Sequence, residues 1–129
     1  MTTDQDPDCL FCRIAAGKAA AGKAAAGKAA ATLLHEDELV NAIRDIAPRA
    51  PTHILLIPRR HIPSALDLTD ADGPLLGRLF AVAADLARSE GIADAGYRLV
   101  TNVGRWGGQS VDHLHVHLMG GRAFEWPPG

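Results

Sequence analysis

The stretch His113-Leu114-His115-Val116-His117-Leu118 alternates imidazole with aliphatic side chains, residue by residue. A period of two is the period of a β-strand, so the three imidazoles share one face and the three aliphatics share the other. The aliphatic face suits burial. The imidazole face gathers three groups that titrate near neutral pH and can attack phosphorus, hold a metal or move protons. A solvent-facing strand that merely carries histidines is the plain alternative, yet half of the chain's six histidines fall between positions 113 and 117.

Immediately before this strand stands Gly107-Gly108-Gln109-Ser110. Paired glycines let the backbone approach a ligand and leave N–H groups outward, a common way to hold phosphate oxygens, and Ser110 adds a hydroxyl. In isolation GGQS is only a turn. Directly before three aligned imidazoles it forms an anion-binding rim beside possible nucleophiles.

Outward from this point, strand-like runs lie at about 32–35 (TLLH), 38–43 (ELVNAI), 53–57 (HILLI), 97–103 (YRLVTNV) and 111–119 (VDHLHVHLM). The pattern of residues 70–90 predicts a long amphipathic helix with Leu75, Leu76, Leu79, Val82, Ala83 and Leu86 as its core stripe. Thr69 and Asp72 have capping-box spacing, and Gly91 stands where a left-handed terminal residue is expected. A short helix from Asp8 to about Ala16 turns Leu10, Phe11 and Ile14 to one side, with Cys9 and Cys12 stacked three residues apart. The fold class that follows is α+β: a five-stranded, largely antiparallel sheet with one long helix and a short N-terminal helix.

Residues 1–7 are polar, proline-containing and without periodicity, and are expected to be disordered. Residues 16–30 repeat AGKAA three times, a low-complexity insertion within a single domain spanning 8–129. Each glycine there costs about 1 kcal/mol of helix relative to alanine, and the lysines form no single stripe. A solvated, partly helical insertion and a cationic arm for an anionic partner are its two readings.

At 129 residues and net charge −2, the chain is one domain with no basic footprint for nucleic acid and no polybasic membrane anchor. The acidic start MTTDQDPD is unlike a signal peptide, and no apolar run approaches spanning length, so a cytoplasmic protein is expected. The only cysteines, Cys9 and Cys12, are spaced C-x-x-C, which suggests a metal or a redox pair rather than a structural disulfide.

The run H-L-H-V-H-L-M resembles the H-φ-H-φ-H-φ-φ signature (φ apolar) of the histidine triad (HIT) family of nucleotide hydrolases and transferases. APTHILLIPRRHI (50–62), GYRLV-TN-G (96–104), GGQSVDHLHVHLMGGR (107–122) and the ending WPPG (126–129) are similar to its nucleoside phosphoramidase branch. The resemblance implies a homodimer with a continuous sheet, in which the Trp126–Gly129 segment reaches toward the partner's site. It implies that His115 is a nucleophile forming a nucleotidyl-histidine, its other nitrogen held by a backbone carbonyl. His117 and Ser110 would hydrogen-bond the phosphate and the leaving atom, with His113 completing the triad. Gly108, Gln109 and Ser110 would supply backbone donors, Asn102 would stand on the phosphate side, and Asp45 would take the ribose hydroxyls with Ile46 beside the base. The implied activity is that of a purine nucleoside phosphoramidase releasing AMP from AMP-amine conjugates. The alternatives are a dinucleoside polyphosphate hydrolase and a zinc-ordered nucleotide-binding scaffold with little turnover.

Bacterial members with an N-terminal C-x-x-C join it to two histidines around zinc. On the resemblance, Cys9, Cys12, His53 and His113 are the expected ligands of one structural zinc, while His35 and His61 are expected at the surface. Two thiolates and two imidazoles are a closed tetrahedral set. The AGKAA repeats replace the family's usual short I-x-x-G-E-I-P-A connection, and Ile43 stands where an aromatic residue is common, so the base pocket departs from the usual pattern.

Overall fold

A computed structural model describes residues 8–15 and 32–129; the expectations for 1–7 and for the AGKAA tract fall outside the described residues. The elements are α1 (Leu10–Ala15), β1 (Leu33–Glu36), β2 (Val40–Arg44), β3 (Thr52–Pro58), α2 (Gly73–Ser89), β4 (Tyr97–Val100) and β5 (Val116–Gly120), with 3₁₀ turns at Ala65–Asp67 and Asp70–Asp72. The strands form one antiparallel sheet in the order β1-β2-β3-β5-β4. The α+β expectation holds.

β3 lies in the middle, and every one of its residues is buried. That explains the unbroken apolar run HILLI, since both faces are covered. On one face Ile54 and Leu56 join Val40, Ala42, Val116 and Leu118 beneath α2, whose Leu75, Leu79, Val82, Ala83 and Ala87 complete the main core. On the other face Ile43, Leu55 and Ile57 pack against Phe11 of α1. α1 therefore covers part of the imidazole face: His113 and His115 are buried, while His117 stays half-buried.

The Thr69–Asp72 capping box forms in both directions, but it caps a 3₁₀ turn, and the α-helix itself starts at Gly73 with Pro74 in its first turn. Proline suits that position because its missing N–H has no helical partner there. Gly91 follows the helix with φ +76°, the left-handed conformation expected of it.

The fifth strand is shorter than its alternation predicts. Laddering begins only at Val116, opposite Leu56, because β3 ends two residues later at Pro58. His113 lies in a bend, and this segment bonds elsewhere: Leu114 N–H donates to the Ile62 carbonyl at 2.6 Å, and the Thr101 hydroxyl donates to the His115 carbonyl at 2.9 Å. His113 and His115 thereby stand outside the paired strand, and of the three only His117 is laddered.

Candidate active site and metal cluster

His115 is buried beneath α1, with the Phe11 ring edge-on at 5.1 Å and the His117 ring at 5.1 Å. Its Nδ1 lies 2.7 Å from the His113 carbonyl. A carbonyl only accepts, so Nδ1 carries the proton and Nε2 keeps its lone pair. A backbone carbonyl thus fixes the tautomer that the family resemblance implies for this ring.

His117 is fixed by a longer chain of donors. The Arg49 backbone N–H donates to His53 Nδ1 at 3.0 Å, so neutral His53 carries its proton on Nε2. That nitrogen lies 2.9 Å from His117 Nδ1 and donates to it, which leaves His117 with an Nε2–H donor. Burial, reinforced by neighbouring His115 and His53, pulls the His117 pKa from 6.5 to about 4. Burial also lowers His53, against the pull of Asp45, whose carboxylate lies 3.4 Å from its Nε2. His117 is thus a neutral donor at pH 7 beside the His115 ring.

Both rings line a cleft of about 280 Å³, at the lower end of small-molecule sites. Ser110, Asp45 and Ile46 share its wall with them, while Leu10, Phe11, Ile14, Ile43 and Leu55 supply a continuous apolar side. Ile43 and the α1 residues thus belong to the site, a place that sequence alone does not assign them. Their common signal was the apolar side of the short helix.

The loop before the triad behaves differently from expectation. Gly108 N–H bonds to the Arg105 carbonyl and Gln109 N–H to the Gly104 carbonyl, both at 3.1 Å, so these two donors close the turn instead of facing the cleft. The Gln109 amide is committed too: it accepts from Gly104 N–H at 2.9 Å and donates to the Pro63 and Val111 carbonyls at 2.7 and 3.0 Å. Asn102 donates to the Gly107 carbonyl at 2.7 Å and does not line the cleft. Neither do Gly108 and Gln109, so of the expected phosphate rim only Ser110 lines it. The glycines serve the turn: Gly108 has φ +83°, and a Cβ on Gly107 would collide with the Val103 carbonyl.

The metal expectation needs one correction. Cys9, Cys12 and His113 come together, but the fourth member is His61, not His53. In the β3–β5 register His53 lies opposite Met119 and diagonal to His117. That is six residues from His113, or about 20 Å of extended chain. His61 follows the end of β3, where the chain returns past His113, and it is half-buried rather than on the surface. Its Nδ1 lies 3.2 Å from Cys12 Sγ and 3.2 Å from His113 Nδ1, while the two sulfurs stand 3.3 and 3.4 Å from His113 Nδ1.

His113 is fully buried, and its pKa is lowered to about 4 by burial first and by His61 and His115 after it. Its Nε2–H donates to the Pro58 carbonyl at 2.7 Å, so the Nδ1 lone pair faces the thiols. The ring does not line the cleft, and a direct catalytic contact for it is not supported. Two sulfurs and two imidazole nitrogens at these separations fit the edges of a zinc-centred tetrahedron, given Zn–S near ~2.3 Å and Zn–N near ~2.0 Å. Asp45, His53 and His117 form a second group of potential ligands, but the Arg49 N–H already occupies His53 Nδ1 and the His53–His117 hydrogen bond joins the two rings.

The HIT domain family model matches residues 26–124. The chain belongs to the HIT domain family. It is 52% identical over 90 residues to the purine nucleoside phosphoramidase of Escherichia coli K12, covering 70% of this chain and 76% of that protein. The crystal structure of a HIT family hydrolase from Legionella pneumophila superposes with a TM-score of 0.85 at 47% identity, over 95% of this chain and 100% of that one. A HIT family hydrolase from Clostridium thermocellum gives 0.83 at 37% identity, over 94% and 96%.

Proposed function

We propose that this HIT-family chain is a nucleotide hydrolase of the purine nucleoside phosphoramidase type, releasing AMP from AMP joined to an amine. His115 Nε2 attacks the α-phosphorus, the P–N bond breaks with its electron pair on the nitrogen, which takes a proton from solvent and leaves as the neutral amine, and water then cleaves the nucleotidyl-histidine to give AMP, the free imidazole and a proton returned to solvent. His117, through its Nε2–H, and Ser110, through its hydroxyl, donate to oxygens on which charge develops. Asp45 takes the ribose hydroxyls, and the apolar wall receives the base. The observation behind this reading is the pairing in one cleft of an imidazole whose Nδ1–H is held by a backbone carbonyl with an imidazole that presents Nε2–H. The phosphoramidase named in Escherichia coli supports the choice of amine leaving group. The test is turnover of an AMP conjugate with a fluorogenic amine beside a dinucleoside polyphosphate. Preference for the conjugate is expected. Cleavage of the polyphosphate alone, or nucleotide binding without turnover of either, would contradict it.

One zinc held by Cys9, Cys12, His61 and His113 belongs to the same proposal; bound there, it supplies a structural cross-link and no open coordination site for chemistry. Metal analysis of protein purified without chelator checks it. A two-fold dimer is the third part, since β4 forms a sheet edge with no further strand among the described residues. Pairing such an edge across a two-fold axis covers its unpaired backbone groups. Light scattering at micromolar concentration should show twice the chain mass. Among the described residues no helix is long and apolar enough to cross a membrane.

A further inference from the structure

The metal cluster and the nucleotide cleft are built on two sides of one short helix. α1 has six residues, too few to be helical alone in water, so its position is set by what its side chains touch. On one side Cys9, just before it, and Cys12 contact His113, and Cys12 also contacts His61. On the other, Leu10, Phe11 and Ile14 line the cleft together with Ile43 and Leu55, against which Phe11 packs. Phe11 bridges the two, edge-on to His113 at 5.8 Å and to His115 at 5.1 Å.

We propose that α1 couples the two sites: zinc in the cluster raises the affinity of the cleft for a purine nucleotide, and the nucleotide raises the affinity of the cluster for zinc. The inference rests on the nucleotide reading of the cleft. Without a cation, the hydrogen bonds among two thiols and two imidazoles and the packing of Phe11 hold α1 more weakly. A fraction of molecules then lacks the apolar wall, and apparent affinity falls by that fraction. A base seated against Phe11 and Ile14 holds α1 down, which brings Cys9 and Cys12 back to His61 and His113. By linkage the two effects are equal in factor. Inorganic phosphate reaches His115, His117 and Ser110 but has no base to press on α1, so it leaves the cluster unaffected.

The experiment measures zinc affinity of the zinc-loaded protein by chelator competition, alone, with saturating AMP and with inorganic phosphate. AMP affinity is measured separately by calorimetry on loaded and on chelated protein. AMP should tighten zinc by about tenfold, phosphate should not, and removing zinc should weaken AMP by the same factor. If chelation unfolds the chain, the zinc measurement with and without AMP still reads the coupling, because every arm starts from loaded protein. Zinc affinity unchanged by bound AMP, or changed equally by phosphate, would overturn the coupling alone. Failure of AMP to bind the loaded protein would overturn the nucleotide reading and the coupling with it.

Discussion

The two imidazole clusters on either side of His115 hold their histidines by opposite nitrogens. In the cluster under α1, the Pro58 carbonyl takes the His113 Nε2–H, and the remaining Nδ1 lone pair faces two sulfurs and His61. In the cluster beside Asp45, the Arg49 N–H occupies the His53 lone pair, and the proton is passed outward so that His117 ends as a donor. One residue type at a spacing of two thus presents a lone pair to two thiols, a lone pair on Nε2 and an N–H donor. The backbone group that meets each ring decides which. Chemistry in a histidine row is therefore set by the carbonyls and amides around it as much as by the imidazoles themselves.

The comparison breaks first at its centre. His115→Ala should leave the circular dichroism spectrum intact and lower turnover by several orders of magnitude, since no other lone-pair imidazole lines the cleft. Next, His117→Ala should cost about 10²–10³ in kcat, the usual loss for one donor to developing oxygen charge. His53→Ala removes the group that sets the His117 tautomer and a ring 3.4 Å from Asp45, so its cost should be nearer tenfold, larger in kcat than in KM. A His53 variant as slow as His117→Ala would give His53 a direct part in the reaction.

His61→Ala is the mirror change on the other side. It should abolish stoichiometric zinc and lower the melting temperature by about 5 °C or more, with the rate of the chemical step affected less than by His117→Ala. His53→Ala should retain zinc. The reverse pattern, with metal lost from the His53 variant and kept by the other, would restore the ligand set expected from sequence.

How much of this was legible beforehand follows from range. Alternation in residues 113–118 and the apolar run of β3 report local geometry, so the sheet, α2 and the face carrying His115 and His117 could all be read directly. Which histidine meets the thiols depends on the β3–β5 register, a long-range fact: with Leu56 opposite Val116, His53 falls beside His117 and only the segment after Pro58 can reach His113. The GGQS turn failed for a related reason. Its glycines predict tight backbone but not which N–H groups the turn itself uses, and Gly104 and Arg105 take those of Gln109 and Gly108.

The smallest effect expected is on pH. His117 titrates at about 4 in the folded chain against an ordinary 6.5, so the unfolded chain takes up its proton first as pH falls. Its contribution to stability is complete above pH 6.5 and is lost progressively down to about 4. Melting temperature should fall across that window, and His117→Gln should flatten part of the slope. A slope unchanged by this substitution would mean that His117 titrates normally.

The most direct test of His115 as the nucleophile between two tautomer-fixing clusters is mass spectrometry of protein quenched in acid-free denaturant during turnover of an AMP-amine conjugate. The account predicts a mass increase of one adenylyl group, mapped to the peptide containing His115 and absent from His115→Ala. An adduct on another residue, or full turnover by the alanine variant without any adduct, would contradict it.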